Sequence, residues 1–281
     1  DIERTHSKPR ISSAGQRPED QEDRMDSHQM KPSPTIDLAA VAQRARRRYV
    51  ECVAGMSSAP PWWTAVIVTA SSQRQAESQR WEIQRRLERG RIPRGAKYLV
   101  APDVRDQRIG SGGATINALR ELMVQSLFRA NGEAWSGSLE EWWASQRVLI
   151  IHSGGDSRRL PQYSLSGKLF SALPVKTPWG EISTVFDETL ALSSSWVERL
   201  PAGLVVGSGD VLLTFDAKGL DWSRPGICGV AMRQPAELGT RHGVYIADEQ
   251  GRVYSFLQKP SLAELRAAGG ILEGDEVALD I

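Results

Sequence analysis

Hydrophobic positions along the chain fall into short runs that alternate with longer amphipathic stretches. "WWTAVIVTAS" at residues 62–71 is an apolar, β-branched run, the pattern of a strand buried on both faces. "AKYLVAPD" (96–103), "RVLIIHSGG" (147–155) and "AGLVVGSGDVLLTF" (202–215) repeat it, each passing from an apolar run into glycine or aspartate. Helical patterns lie between them: 73–90, stopped by Gly90; 108–130, opened by a glycine-rich turn; and 184–200, with Thr184 as the cap. Residues 37–56 read as a further helix with Arg44, Arg46, Arg47 and Arg48 on a solvated face, and 131–147 as a polar link with some helical character. Towards the C-terminus, 226–233, a hairpin over 243–259 turning at "DEQG", and "EVALDI" read as strands, with a short helix over 261–270 capped by Ser261. Strands separated by helices predict an α/β fold, a mostly parallel sheet covered by helices on both faces. Ligands of such sheets bind beyond the carboxyl ends of the strands, so both glycine turns and the Gly-Asp turn at 209–210 are expected to meet on one rim.

Composition narrows the partners more than the fold. With 281 residues, 40% of them hydrophobic, the chain can bury a sizeable core. A net charge of +1 gives no reason to expect nucleic acid or an acidic membrane as partner, and no run nears the roughly 18 apolar residues of a membrane span. Cys52 and Cys228 stand far apart in no metal-type spacing, which points to a reducing, cytoplasmic location. Residues 1–35 are polar enough to be expected disordered, leaving 36–281 as the folded domain. Because Asp1 precedes Met25 and Met30, either methionine is an expected true start. The stop within a strand pattern leads to the expectation of a segment of a longer protein.

Three turns carry candidate chemistry. In "HSGGDSRRLPQYSLSGK", Gly154 and Gly155 let backbone amides approach an anion, Arg158 and Arg159 supply forked donors for phosphate, and Lys168 follows at a distance that lets it fold back over the same site. Read alone, the segment has a competing reading as a plain glycine turn with surface arginines. It lacks the Gly-Lys-Ser/Thr ending of the common phosphate loop, since Leu169 follows Lys168. Gly110, Gly112 and Gly113 open a helix after a strand, with Thr115 placed for a phosphate; a structural turn is the competing reading. Asp210 ends an apolar strand, where a magnesium ion would account for a lone carboxylate and a turn cap would do so as well. Asp280 stands in the same relation to the last run and is the candidate second metal ligand. Lys259 at a strand end suits a sugar phosphate. His242 and Gly243 precede the same hairpin and are candidate substrate contacts, while His152 and His242 are each also read as ordinary structural histidines.

In order, "IGSGGATINAL", "HSGGDSRRLPQYSLSGKLF", "GSGDVLL", "HGVYI" and "FLQKPS" resemble the sugar nucleotidyltransferases, and among them the fucose-1-phosphate guanylyltransferase family. The resemblance runs from about Trp62 to the end and is similar to the N-terminal half of bifunctional fucokinase/pyrophosphorylases. Asp156-Ser157 and Gln258 depart from the broader pattern. The resemblance implies a Rossmann-like nucleotidyltransferase that joins GTP and L-fucose 1-phosphate, releasing pyrophosphate with Mg2+ as cofactor. In that scheme Arg158, Lys168 and Asp210 are catalytic and Asp210 and Asp280 hold the metal. Gly110, Gly112, Gly113, Thr115, Gly154, Gly155 and Arg159 face the nucleotide, and His242, Gly243 and Lys259 the sugar phosphate. A β-helical region and a kinase domain are implied further along the protein. A sugar kinase, a transferase for another sugar and a non-catalytic nucleotide-binding domain are the rival readings.

Overall fold

Helix α1 (Leu38–Ala54) begins where the Asp37 carboxylate accepts from the Ala40 N–H and ends at Gly55, whose φ of 63° suits the left-handed turn that closes a helix. It opens a computed structural model that describes residues 36–56, 61–127, 137–153, 157, 160–222 and 226–280. Residues 37–281 form one compact unit. The expected disordered segment 1–35, with Met25 and Met30, lies outside the described residues, as do Gly154, Gly155, Asp156, Arg158 and Arg159.

After α1 come β1 (Ala65–Ala70), α2 (Gln73–Glu88), β2 (Lys97–Pro102), α3 (Gly110–Leu127), α4 (Leu139–Ala144) and β3 (Arg147–His152). A hairpin of β4 (Ala172–Lys176) and β5 (Ile182–Thr184) leads to α5 (Val185–Val197) and then β6 (Gly203–Ser208). Strands β1, β2, β3 and β6 form a parallel sheet in the order β2-β1-β3-β6. All six residues of β1 are buried, as its unbroken apolar run requires of a central strand. Its side chains divide by parity. Ala65 and Ile67 join Val148, Ile150, Leu99 and the α3 residues Ala118 and Leu122 in one cluster. Val66, Val68 and Ala70 join Leu149, Ile151, Ile83 of α2 and Phe186, Leu190 and Trp196 of α5 in another. Each fully buried isoleucine here contributes about 1.5–3 kcal/mol of transfer free energy.

Arg44, Arg46 and Arg47 of α1 are exposed and Arg48 is half-buried, yet two of them also make ion pairs: Arg46 with Glu188 at 2.6 Å and Arg48 with Glu198, tying α1 to α5 and its C-terminal turn. Thr184 caps α5 in a reciprocal box with Asp187, as its sequence position predicts.

The expected mostly parallel sheet holds only for the first part of the chain. β7 (Ala231–Pro235), β8 (Gly243–Ala247), β9 (Val253–Gln258) and β10 (Glu276–Asp280) form a separate antiparallel sheet in the order β7-β10-β8-β9. Here α6 (Ala236–Gly239) and α7 (Leu262–Ala267) are too short to serve as crossover helices, and the tight turn between β8 and β9 returns the chain antiparallel. Val244, Ile246, Val277 and Leu279 pack with Ala236 and Leu265 in a third cluster.

Candidate functional site

The carboxyl ends of the four parallel strands surround a cleft of about 490 Å3. Its walls come from Thr69 and Ser71 at the end of β1 and from Asp103, Arg108 and Gly110 after β2. His152 ends β3, with Ser153 and Lys168 after it, and Ser208 ends β6, with Gly209 and Asp210 after it. The chain turns to opposite sides after β1, towards β2 and towards β3, so the cleft lies where loops diverge and leave a crevice.

Lys168 and Asp210, 42 residues apart, meet here. The Lys168 Nζ donates to Asp210 Oδ2 at 2.9 Å, and the Ser208 hydroxyl donates to Oδ1 at 2.7 Å. The bond from Lys168, then that from Ser208, holds the Asp210 carboxyl below its ordinary range and keeps it ionised. Gly209 explains why glycine precedes this aspartate. Its N–H donates to the His152 carbonyl at 2.8 Å, and a Cβ on it would stand 2.8 Å from the same oxygen.

A second set of contacts knits the cleft floor. The Ser153 N–H donates to Thr69 Oγ1 (3.3 Å), which lies 3.3 Å from His152 Nδ1. On the other side of the ring, His152 Nε2 lies 2.9 Å from Thr115 Oγ1, and that hydroxyl donates to the Ser111 carbonyl at 3.0 Å. A hydroxyl has one proton to give, so Thr115 accepts from Nε2–H. Nδ1 is then the acceptor for Thr69, and the neutral Nε2–H tautomer satisfies the whole chain. Burial pushes the imidazole pKa down, opposed by the nearby Asp103. Because the folded pKa is depressed, protonation favours the unfolded chain. Stability is therefore expected to fall as pH drops from about 6.5, the ordinary histidine value, through the lower folded value. Thermal unfolding at pH 7.5 and 5 should show a smaller loss in His152→Asn than in the parent chain; equal losses would remove His152 as the cause.

The residues singled out from sequence divide into four groups. Lys168, Asp210 and Gly110 line the cleft, and Gly110 has a φ of +73° at the start of α3. Gly112 and Gly113 lie in the same helical turn but do not line it; a Cβ on Gly113 would meet Ile109 of its own turn at 3.0 Å. Thr115, expected to offer a hydroxyl to phosphate, instead commits it to Ser111 and His152.

His242, Gly243, Lys259 and Asp280 gather on the antiparallel sheet, and none of them lines the cleft. The Lys259 N–H donates to the His242 carbonyl at 2.8 Å. A Cβ on Gly243 would come within 2.3 Å of the Phe256 ring, so this glycine is needed for packing. The Asp280 carboxylate accepts from the Tyr245 hydroxyl at 2.7 Å; burial and then Asp280 push that hydroxyl up to about 12. Asp280 thus does not stand beside Asp210 around the cleft. Gly154, Gly155, Arg158 and Arg159 lie outside the described residues. Among the described residues no cluster of three His, Cys, Asp or Glu side chains is arranged to hold a metal, and no helix is long and apolar enough to cross a membrane.

Asp103 also lines the cleft, and its signal in the sequence is the one that marks Asp210: a carboxylate directly after an apolar run. Gly209 and Ser208 were legible only as neighbours of that aspartate.

Residues 140–281 match the family described as the fucose pyrophosphorylase domain. The chain is 29% identical over 245 residues to "Fucose-1-phosphate guanylyltransferase" of Homo sapiens, covering 83% of this chain and 38% of that protein. It is 31% identical over 245 residues to "Bifunctional fucokinase/GDP-fucose pyrophosphorylase" of Arabidopsis thaliana, covering 78% of this chain and 23% of the relative. Over 178 residues it is 29% identical to "L-fucokinase/L-fucose-1-P guanylyltransferase" of Bacteroides fragilis, covering 60% of this chain and 18% of that one. The chain therefore spans well under half the length of these relatives. No solved structure matches it. The family match takes in β3, Lys168, Asp210 and the whole antiparallel sheet, and on that footing the chain belongs to the fucose pyrophosphorylase family.

Proposed function

We propose that this chain carries the nucleotidyl-transfer site of a fucose-1-phosphate guanylyltransferase, forming GDP-L-fucose and pyrophosphate from GTP and L-fucose 1-phosphate. The observation that carries the reading is the Lys168–Asp210 pair at the strand-end cleft, drawn from the loops after β3 and β6. The finer architecture goes with it: a Rossmann-like nucleotidyltransferase whose parallel sheet is covered by helices on both faces, within a longer protein that continues into β-helical and kinase domains. The relatives' names supply the guanine base and the fucose.

In the proposed reaction an oxygen of fucose 1-phosphate forms a bond to the α-phosphorus of GTP. The bond from that phosphorus to the bridging oxygen breaks, and pyrophosphate leaves with the electron pair. The nucleophile is ionised at neutral pH, so no side chain has to take a proton. The barrier lies in bringing polyanions together and neutralising the leaving group, which positioned cations achieve. Lys168 would bind the leaving phosphates, with Arg158 and Arg159 in support. The donor set at Asp210 fits Mg2+, which takes one or two carboxylates and completes its shell with phosphate oxygens and water. When bound, the ion would neutralise phosphate charge. Lys259, with His242 and Gly243, would meet the sugar phosphate from the antiparallel sheet, and Asp280 would act as a further metal ligand only if it reached the cleft.

The test is pyrophosphate release across a panel of nucleoside triphosphates and sugar 1-phosphates, with the chain alone and within its full-length protein. Release that requires GTP and fucose 1-phosphate is the expected result. ADP formation from ATP and free fucose would instead assign the chain to a kinase, and nucleotide binding with no release from the full-length protein would reduce it to a binding domain.

A further inference from the structure

The cleft has two chemically different ends. Strand order places Asp103 and Asp210 beyond the tips of the outermost strands, β2 and β6, three interstrand spacings or about 14 Å apart. Lys168 supplies positive charge at the β6 end. The β2 end presents the half-buried carboxylate of Asp103. Its main chain is pinned on both sides: its N–H donates to the Ala70 carbonyl at 2.8 Å, and its own carbonyl accepts from the Asp106 N–H at 3.2 Å. Burial raises the pKa of this carboxylate, and the charge of Arg108, acting through space, opposes it. Among the described residues no hydrogen bond or ion pair engages this carboxylate, although the Asp210 carboxylate has two such partners.

A partly desolvated carboxylate without a donor is costly, and when ionised it can only accept. A ligand that satisfies both of its oxygens at once presents two adjacent N–H or O–H groups. If the phosphates of a nucleotide sit at Lys168, the ribose falls near the middle strands and the far edge of the base arrives at β2. Guanine carries its N1–H and N2–H donors side by side on that edge. Adenine offers an acceptor at N1, which would face the carboxylate oxygens without a proton between them. We infer that Asp103 selects guanine over adenine by accepting from the N1–H and N2–H edge of the base. The inference rests on the reading that the cleft binds a nucleoside triphosphate.

The experiment measures affinity for GTP, ITP, XTP, ATP, 2′-deoxy-GTP and tripolyphosphate, each with magnesium, by the parent chain and by Asp103→Asn. For the parent chain GTP should bind at least about tenfold more tightly than ITP, which lacks the 2-amino group, the scale of one hydrogen bond to a charged acceptor. ATP should be weaker again. Xanthine sets a carbonyl acceptor beside N1–H, and an amide offers an acceptor beside a donor. Asp103→Asn should therefore prefer XTP to GTP, while tripolyphosphate binds both proteins alike and shows that the phosphate end is intact. A variant that keeps the parent's GTP-to-XTP ratio overturns the inference, as does a parent chain that binds GTP and ATP equally. Sensitivity of the Asp103 effect to the 2′-hydroxyl rather than to the base would reassign the carboxylate to the ribose and overturn it too. If neither tripolyphosphate nor any nucleotide binds, the nucleotide reading of the cleft itself falls, and this inference with it.

Discussion

Lys168→Ala is expected to slow pyrophosphate release at least about a hundredfold, the scale on which one preorganised electrostatic stabiliser acts. Asp210→Ala should cost as much. Stability should hardly move in either, because the pair is open to water, with the two side chains 39% and 47% exposed, and exposed ion pairs contribute about 0–1 kcal/mol. That separation makes the test clean: turnover and the unfolding midpoint are measured on the same purified variants. The double variant should be about as slow as either single one if the two side chains act as a unit on the phosphates. Near-normal turnover in well-folded single variants would remove both residues from the site.

The largest expected loss of stability lies elsewhere, at Arg86 on α2. Its side chain is 9% exposed, and all of its guanidinium nitrogens donate. Nε and Nη2 bond the two Asp187 oxygens at 2.7 and 3.0 Å. Nη2 also reaches Thr184 Oγ1, and Nη1 reaches the carbonyl and carboxylate of Glu82. The Phe170 and Phe186 rings flank the cation with centroids 5.3 and 5.6 Å away. Asp187 is also half of the box that starts α5, so one arginine ties α2 to a helix start on the side of the sheet that carries Val66 and Val68. Arg86→Ala would strand a nearly buried carboxylate, a change that costs about 3–5 kcal/mol. Arg86→Lys should recover only part of this, since an ammonium cannot reproduce the fork. Urea unfolding of the two variants measures it; a loss under about 1 kcal/mol for alanine would mean that water replaces the guanidinium freely.

Nothing in the sequence marks Arg86. It sits beside Arg85 near the end of an amphipathic helix, with Arg89 and Arg91 just after it, and only the approach of the α5 start selects one of the four for burial. The same holds for Arg46 and Arg48, which the helical pattern leaves on a solvated face and the approach of α5 turns into partners of Glu188 and Glu198. β4 and β5 were missed for a different reason: their residues are mostly exposed, so no burial rhythm was written into them.

Local signals are sufficient for the four parallel strands and for α1, α2, α3 and α5, because caps, left-handed glycines and apolar runs act within a few residues and carry their own physical cause. They also marked Lys168 and Asp210 as carriers of chemistry. Which marked residues share a site depended on connections. Crossover helices line up the ends of β2, β1, β3 and β6 and so bring Asp103, His152, Lys168 and Asp210 around one cleft. The short links after β7 fold His242, Gly243, Lys259 and Asp280 onto a sheet of their own, and no pattern of hydrophobicity distinguishes a strand that will pair with one sheet from a strand that will pair with the other.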